Sequence, residues 1–419
     1  MPRTSAAFVQ NRIVLLVLAV TIGVLVSLPM VLTLQPVSVL PKTARIISST
    51  TTRSSTHLFM AGFGSSASPS SNKKKGNNKN KKKGNGGETP AQAQLRWANK
   101  MKKVYGGTTA EEIAIATEKR IGFMITESLS EPLRKALELR EIVAQFERRI
   151  SGMDADAIRQ RFTAEELEQA IQNRKLFDEH LQTNNLTTED LQVAMQRLTW
   201  DASADAKACK SVTGKMPATF KNRVARASEL AYEASSNDDG LVLDVGCGYG
   251  VLVPFLKKAG FKANQIHGVD LSSEMIGHAK SFYPDVATKG KFETMDFFAD
   301  IEEGSRNKYR AVIFCSALHD MPDLKRALIK TKNELLDSKT PGSRLVIVHA
   351  QGVSHALNQN KQNPLLVPRG LPSTAELQEW LCDGDDDDGG PTMKLVHEPA
   401  ESKSQGEIRE GYLAVLETI

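Results

Sequence analysis

The first 87 residues of this 419-residue chain contain no aspartate or glutamate; Glu88 is the first acid. Twelve lysines and arginines stand there unopposed. That leaves 42 basic against 49 acidic residues in the remaining 332, a net of −7. The formal charge of +5 therefore belongs to the leader, and the body is mildly acidic. A general polyanion-binding surface on the body is not supported, and no nucleic-acid partner is expected. Cysteine is scarce as well. Cys209, Cys247, Cys315 and Cys382 include no C-x-x-C pair, so their spacing matches neither a zinc site nor a disulfide framework.

What is present excludes a disordered chain. Apolar residues make up 40% of the sequence and charged residues 25%, enough for a sizeable core, and the length suggests two or three units. Ile13 to Leu34 is a run of 22 residues without a charge. It is long enough to span a bilayer core of about 20 apolar residues, and it also suits the apolar core of a signal peptide. Lys42 to Ser71 is rich in Ser, Thr and Arg and free of acids, which is the composition of a transit peptide. The two together resemble the bipartite plastid-targeting leaders of algae with secondary plastids, with Leu58 to Gly64 as the end of the leader. The other reading is a single-pass anchor in the secretory system, followed by a disordered stalk. Lys73 to Gly87 is low in complexity, and its like charges and poorly packing Gly and Asn predict a disordered linker. Residues 1–41 are thus a hydrophobic signal or membrane anchor, and 42–88 a transit-like and Lys/Gly/Asn-rich linker. Contact with a membrane is expected only through the hydrophobic run, if it is not cleaved.

Residues 89–199 read as helices. Start signals recur at Thr109-x-x-Glu112, Ser128-x-x-Glu131, Thr163-x-x-Glu166 and Thr187-x-x-Asp190, each pairing a capping hydroxyl with a first-turn carboxylate. Pro132 suits a first turn. Leu133, Leu137, Val143, Phe146 and Ile150 form one apolar stripe, and Leu167, Ile171 and Leu181 another. No chemistry is evident in this region. Helices 109–198 are expected either to bind a protein partner or to pack on the domain that follows.

The informative stretch begins at Leu241. Leu241 to Val245 is a short apolar run fit for a buried parallel strand. Gly246-Cys247-Gly248-Tyr249-Gly250 follows, then a helical run from Val251 closed by Gly260. Glycines at a strand-to-helix turn let the backbone approach a ligand, and the helix start offers free N–H groups. The second strand ends in Asp270, 24 residues after Gly246. In a doubly wound sheet an acid there can accept both hydroxyls of a ribose. The spacing G-x-G-x-G, with Asp244 two residues ahead, differs from the G-x-G-x-x-G of dinucleotide dehydrogenases and opposes an NAD enzyme.

The stretch Val242 to Gly250 (VLDVGCGYG), with Gly268-Val269-Asp270-Leu271-Ser272 and Met275, resembles the class I S-adenosylmethionine-dependent methyltransferases. The resemblance covers residues 200–419. It implies a doubly wound α/β fold with a seven-stranded, mostly parallel sheet and S-adenosylmethionine as cofactor. Phe292 to Phe297 matches the third strand, Tyr309 to Asp320 the fourth and its loop, and Pro341 to Val348 the fifth. Met393 to His397 and Tyr412 to Glu417 match the last two, the final one antiparallel. By position, Gly246, Cys247, Gly248 and Gly250 shape the loop around the methionine part of the cofactor. Asp244 orients that loop and reaches the cofactor's amino group through water or backbone. Asp270 and Leu271 hold the ribose end. Asp296 takes the adenine amine, Phe297 packs near the ring, and Cys315 and Ser316 line the methyl-transfer end. Upstream, Trp200-Asp201 and Lys215-Met216-Pro217 stand where many members carry a W-D…Y lid, but the tyrosine is missing.

Methyl transfer is an in-line displacement, and a base is needed only for an acceptor that arrives protonated. His319, with Asp320 to orient it, is the candidate base. His349 and His355 are candidate substrate contacts, in a loop where small-molecule members place theirs. All three also suit a purely structural role. Two histidines without a nearby carboxylate make no case for a metal. No Asn-Pro-Pro-Tyr, Asp-Pro-Pro-Tyr or Pro-Cys follows the fourth strand, which disfavours methylation of bases in nucleic acid. Asp383 to Gly390 reads as a solvated acidic loop. The expected activity is methyl transfer to a small-molecule acceptor. The alternatives are a protein or RNA acceptor, or a cofactor-binding scaffold without catalysis that uses the helices for partners.

Overall fold

A computed structural model of the chain describes residues 110–213, 216–235, 239–299, 306–383, 391–399 and 411–419, with Gln92, Leu95, Arg96 and Asn99. The hydrophobic run, the transit-like stretch, the lysine-rich linker, Thr109 and most of the acidic run lie outside them. Among the described residues no helix is long and apolar enough to cross a membrane.

Ahead of the sheet, the described residues from Ala110 on form α1 (Ala110–Ser128), α2 (Glu131–Ile150), α3 (Ala155–Arg161), α4 (Ala164–Thr183) and α5 (Thr188–Thr213). Two of the expected caps form. Thr163 Oγ1 accepts from the Glu166 N–H at 3.1 Å while Glu166 accepts from the Thr163 N–H at 3.0 Å. Thr187 and Asp190 exchange the same pair of bonds. The expected start at Ser128 is displaced: Ser128 ends α1, and Ser130 precedes α2 without a side-chain cap bond. The second stripe is also off by one position. Ile171 is exposed, and α4 buries Phe177 and Leu181. These helices build one core from Ile121, Ile125, Leu137, Phe177, Leu191, Met195 and Leu198, completed by Leu366 and Val367 from far along the chain.

The rest is a doubly wound α/β arrangement. Its elements are α6 (Ala218–Glu233), β1 (Leu241–Val245), α7 (Val253–Ala259), β2 (Ile266–Asp270), α8 (Ser273–Phe282), α9 (Pro284–Lys289) and β3 (Lys291–Thr294). There follow β4 (Tyr309–Cys315), α10 (Leu324–Lys330), β5 (Arg344–His349), α11 (Gly352–Gln362), α12 (Thr374–Leu381), β6 (Met393–His397) and β7 (Tyr412–Thr418). The seven strands lie in the order β3-β2-β1-β4-β5-β7-β6. β1 pairs in parallel with β2 and β4, whereas β7 runs antiparallel to β5 and β6, as expected. Strand residues alternate between two cores. Val242, Ala311, Ile313, Val346 and Val415 face α6 to α9. Leu243, Val312, Phe314, Ile347 and Leu416 face α10 to α12. A parallel sheet covered on both faces needs such doubly apolar strands. The order reverses between β1 and β4, so the crevice for a ligand opens at their carboxyl ends.

The junction expected at 199/200 falls within α5, which packs against both α1 and α8. All the described residues belong to one compact unit.

Candidate cofactor and methyl-transfer site

The glycine-rich turn leaves β1 and hydrogen-bonds across to β2: the N–H groups of Gly246 and Cys247 both donate to the Val269 carbonyl, at 2.9 and 3.0 Å. A Cβ on Gly246 would lie 2.5 Å from the Ala317 Cβ, so this glycine lets the turn close on the loop after β4. Gly248 has φ +54°, and a Cβ there would meet nothing within 4 Å. It faces open space, and its N–H donates to Asp270 Oδ2 at 2.8 Å. The other Asp270 oxygen accepts from the Ser272 N–H at 2.8 Å. A carboxylate has about four acceptor positions, so two remain. Asp244 is 2% exposed, and its Oδ1 has no partner. Burial, and then the charge of Asp270, hold its carboxyl well above the usual range. Burial raises Asp270 too, against the two N–H bonds that lower it.

The remaining expected cofactor residues divide. Leu271, half-buried, follows β2 directly. Asp296 stands two residues past β3, where its Oδ1 accepts from the Phe298 N–H at 2.9 Å. The Cys247 side chain turns away into the core with Val242 and Phe292, so it meets a ligand only through its backbone. Phe297 is likewise a core residue, edge-on to Phe298 and Phe314. Cys315 ends β4, and burial pushes its thiol up. Ser316 follows at φ +54°, a strained backbone for a residue with a side chain.

Three histidines scattered in the sequence come together here. His319 sits in a single 3-10 turn, Leu318–Asp320. Its ring centre lies 4.6 Å from that of His349, which lies 5.7 Å from that of His355. His349 Nδ1 accepts from the Gly352 N–H at 2.9 Å. The neutral ring therefore carries its proton on Nε2 and serves as a donor. Burial holds His349 well below the usual histidine range and brings His355 down to about 4. His319 is 4% exposed. Its Nε2 lies 3.4 Å from Asp320 Oδ1, and its Nδ1 has no partner. Among the described residues, no group of three or more His, Cys, Asp or Glu side chains could hold a metal ion.

Helix α5 closes over this edge with Asp201, from the Trp200-Asp201 pair expected in a lid, and with Asp205, Gln192 and Gln196, whose part was not foreseen. Asp201 accepts from Ser272 Oγ at 2.5 Å and from the Glu274 N–H at 3.3 Å, which ties α5 to the start of α8. Asp205 bonds His278 at 2.8 Å and Arg120 at 3.3 Å. Gln192 and Gln196 both donate to the Asp320 carbonyl. The sequence had one signal for the glutamines: they stand beside Leu191 and Met195, on the buried face of an amphipathic helix.

Residues 242–338 match a family model described as a methyltransferase domain. Among solved structures, the chain is similar to the magnesium protoporphyrin IX methyltransferase of Synechocystis PCC 6803 with bound S-adenosylmethionine. The identity is 16% over 54% of this chain and 97% of that one, with a TM-score of 0.36. It is similar to the plantazolicin methyltransferase BpumL in complex with SAH, at 15% identity over 54% and 95%, with a TM-score of 0.37. A third similar structure is an S-adenosylmethionine-dependent methyltransferase from Mesorhizobium loti, at 16% identity over 42% and 90%, with a TM-score of 0.31. No curated protein matches the chain.

The chain thus carries a methyltransferase domain, on a seven-stranded α/β fold of class I type. The residues present fit S-adenosylmethionine, the cofactor that the sequence resemblance implies. Asp244 offers an orphaned buried oxygen, Gly248 an open cradle, and Asp270 two spare acceptor positions.

Proposed function

We propose that this protein transfers the methyl group of S-adenosylmethionine to a small molecule that arrives with a proton on its reacting atom. One observation carries the reading: the buried His319 Nδ1 has no partner at the methyl-transfer end. A buried imidazole nitrogen left unsatisfied costs about 1–3 kcal/mol, and an acceptor's proton would satisfy it. Asp320 beside Nε2 keeps the proton on that nitrogen and leaves Nδ1 as the base. His349, its tautomer fixed by Gly352, donates to the acceptor, and His355 lines the same cluster. Asp270 accepts the ribose hydroxyls, Asp244 receives the amino end, Asp296 the adenine amine, and Cys315 lines the transfer end. The cofactor supplies an electrophilic methyl on a sulfonium; the residues orient the acceptor and exclude water. A transfer end in which His319 and His349 are both buried favours a small acceptor over a protein or RNA chain.

The test is transfer of labelled methyl groups from S-adenosylmethionine to a metabolite pool, to total protein and to RNA, offered separately. Label in the metabolite pool alone is expected. His319→Ala should cut that transfer by about 10²–10⁴-fold with cofactor binding retained. Label in protein or RNA, or none anywhere despite cofactor binding, overturns the reading. For the leader we propose an organelle address, most consistent with a plastid. Mass spectrometry of the protein from its native cell should then give a mature N-terminus near residues 58–64, whereas an intact Met1 in membrane fractions would point to the anchor.

A further inference from the structure

His319 rests on very little of its own. The 3-10 turn that carries it has two i→i+3 bonds, Asp320 N–H to the Ala317 carbonyl and Met321 N–H to the Leu318 carbonyl, both at 3.0 Å. A lone turn of this kind is too short to hold itself. The outward carbonyl of Asp320 is instead held from across the cleft. Gln192 Nε2 donates to it at 3.3 Å, and Gln196 Nε2 donates to it as well. A carbonyl oxygen has two lone pairs, and the two amides use both. The second Gln196 N–H goes to the Leu366 carbonyl at 2.9 Å, in the segment that follows the helix bearing His355. Both glutamines are buried, 7% and 6% exposed. Desolvated amides of this kind are expensive unless bonded, so the contact is a built one.

We propose that Gln192 and Gln196 are positioning residues for His319: the helical region holds the turn in which Asp320 orients the imidazole and fixes its tautomer. The inference rests on the reading of His319 as the base. Gln196 is the centre of the device. One side-chain nitrogen fixes the turn of His319 and the segment behind His355 together, and so keeps the cluster at its spacing. Leu191, Met195 and Leu198 of the same helix lie in the core of the helical region.

The experiment uses full-length protein labelled with 15N-histidine, with the His319 signals assigned by loss in His319→Gln. Long-range 15N–1H correlation spectra report the tautomer. Wild type should show one tautomer. Gln196→Leu, of similar size and without donors, should show averaged tautomers. Gln192→Leu, the milder change, should show a smaller departure in the same direction. S-adenosylmethionine binding by calorimetry should stay within about threefold in both variants, since neither glutamine touches the glycine turn. Phe177→Leu, which loosens the helical core without touching either carbonyl, should keep the wild-type His319 spectrum. An unchanged His319 spectrum in both glutamine variants overturns the proposal, and so does an equal change in Phe177→Leu. Failure of the methyl-transfer reading is distinguishable: wild type would then transfer no methyl group while the spectral effect of Gln196→Leu persisted.

Discussion

The carboxyl edge of the sheet and helix α5 meet at one site but furnish it by different means. The sheet edge works mainly through backbone: the N–H groups of Gly246, Cys247, Gly248 and Ser272 tie β1, β2 and Asp270 into one rigid turn. Helix α5 works through side chains: Asp201, Asp205, Gln192 and Gln196 reach across to α8 and to the turn after β4. A backbone-built site tolerates few residue types, because positive φ and close approach demand glycine. A side-chain-built clamp can be made from several polar residues on a helix face. On the roles proposed above, cofactor binding belongs to the sheet edge and acceptor-side alignment to helix α5, so the two should be separable by substitution.

That separation can be broken by experiment, and the largest expected effect is on the sheet side. Asp270→Ala should weaken S-adenosylmethionine binding at least about 100-fold by calorimetry, since both proposed charge-assisted bonds to the ribose would go at once. Binding unchanged by that substitution would remove the sheet edge from the comparison altogether. On the helical side, Phe177→Ala should lower unfolding stability by about 3–5 kcal/mol, because a fully buried ring is replaced by a cavity. Cofactor affinity, measured below the unfolding transition, should stay within about threefold; a loss as large as that of Asp270→Ala would show that the two regions are one machine. The smallest effect concerns pH. His355 titrates at about 4 in the fold against an ordinary 6.5. The unfolded chain therefore takes up its proton first as pH falls, so the stability this histidine contributes is complete above pH 6.5 and is lost towards 4. His355→Gln should flatten the fall in Tm over that window, and modestly, because the ring is only half-buried.

The same contrast governs what could be read from the sequence. Gly246, Gly248 and Asp270 were legible because a backbone turn imposes a fixed spacing on residue types. The mostly parallel sheet and its antiparallel last strand were implied by the family resemblance those residues carry, and the strand order itself came only with the fold. Gln192 and Gln196 were not legible as a clamp, since two polar positions on the buried side of a 26-residue helix look like any amphipathic face. Ser130 in place of Ser128 shows the limit of cap patterns: a hydroxyl three residues before a carboxylate can also belong to the end of the helix before, as Ser128 does. Phe297 and Cys247 show another. A residue adjacent in sequence to a binding position points to the opposite side of its strand or turn, and here that side is the core. The three histidines were each visible alone, but their meeting was not, because it depends on how the β4 and β5 loops fold over one edge.

Leu366 and Val367 carry one further consequence. They complete a core whose earliest member described is Ile121, some 245 residues before them. During synthesis the helices leave the ribosome first, yet their interior lacks its last wall until the chain past β5 has been made. Ribosomes add about 5–20 residues per second, so the bundle waits on the order of ten seconds or more with apolar surface uncovered. That interval, and not the finished fold, is when the apolar faces of these helices stand open to water.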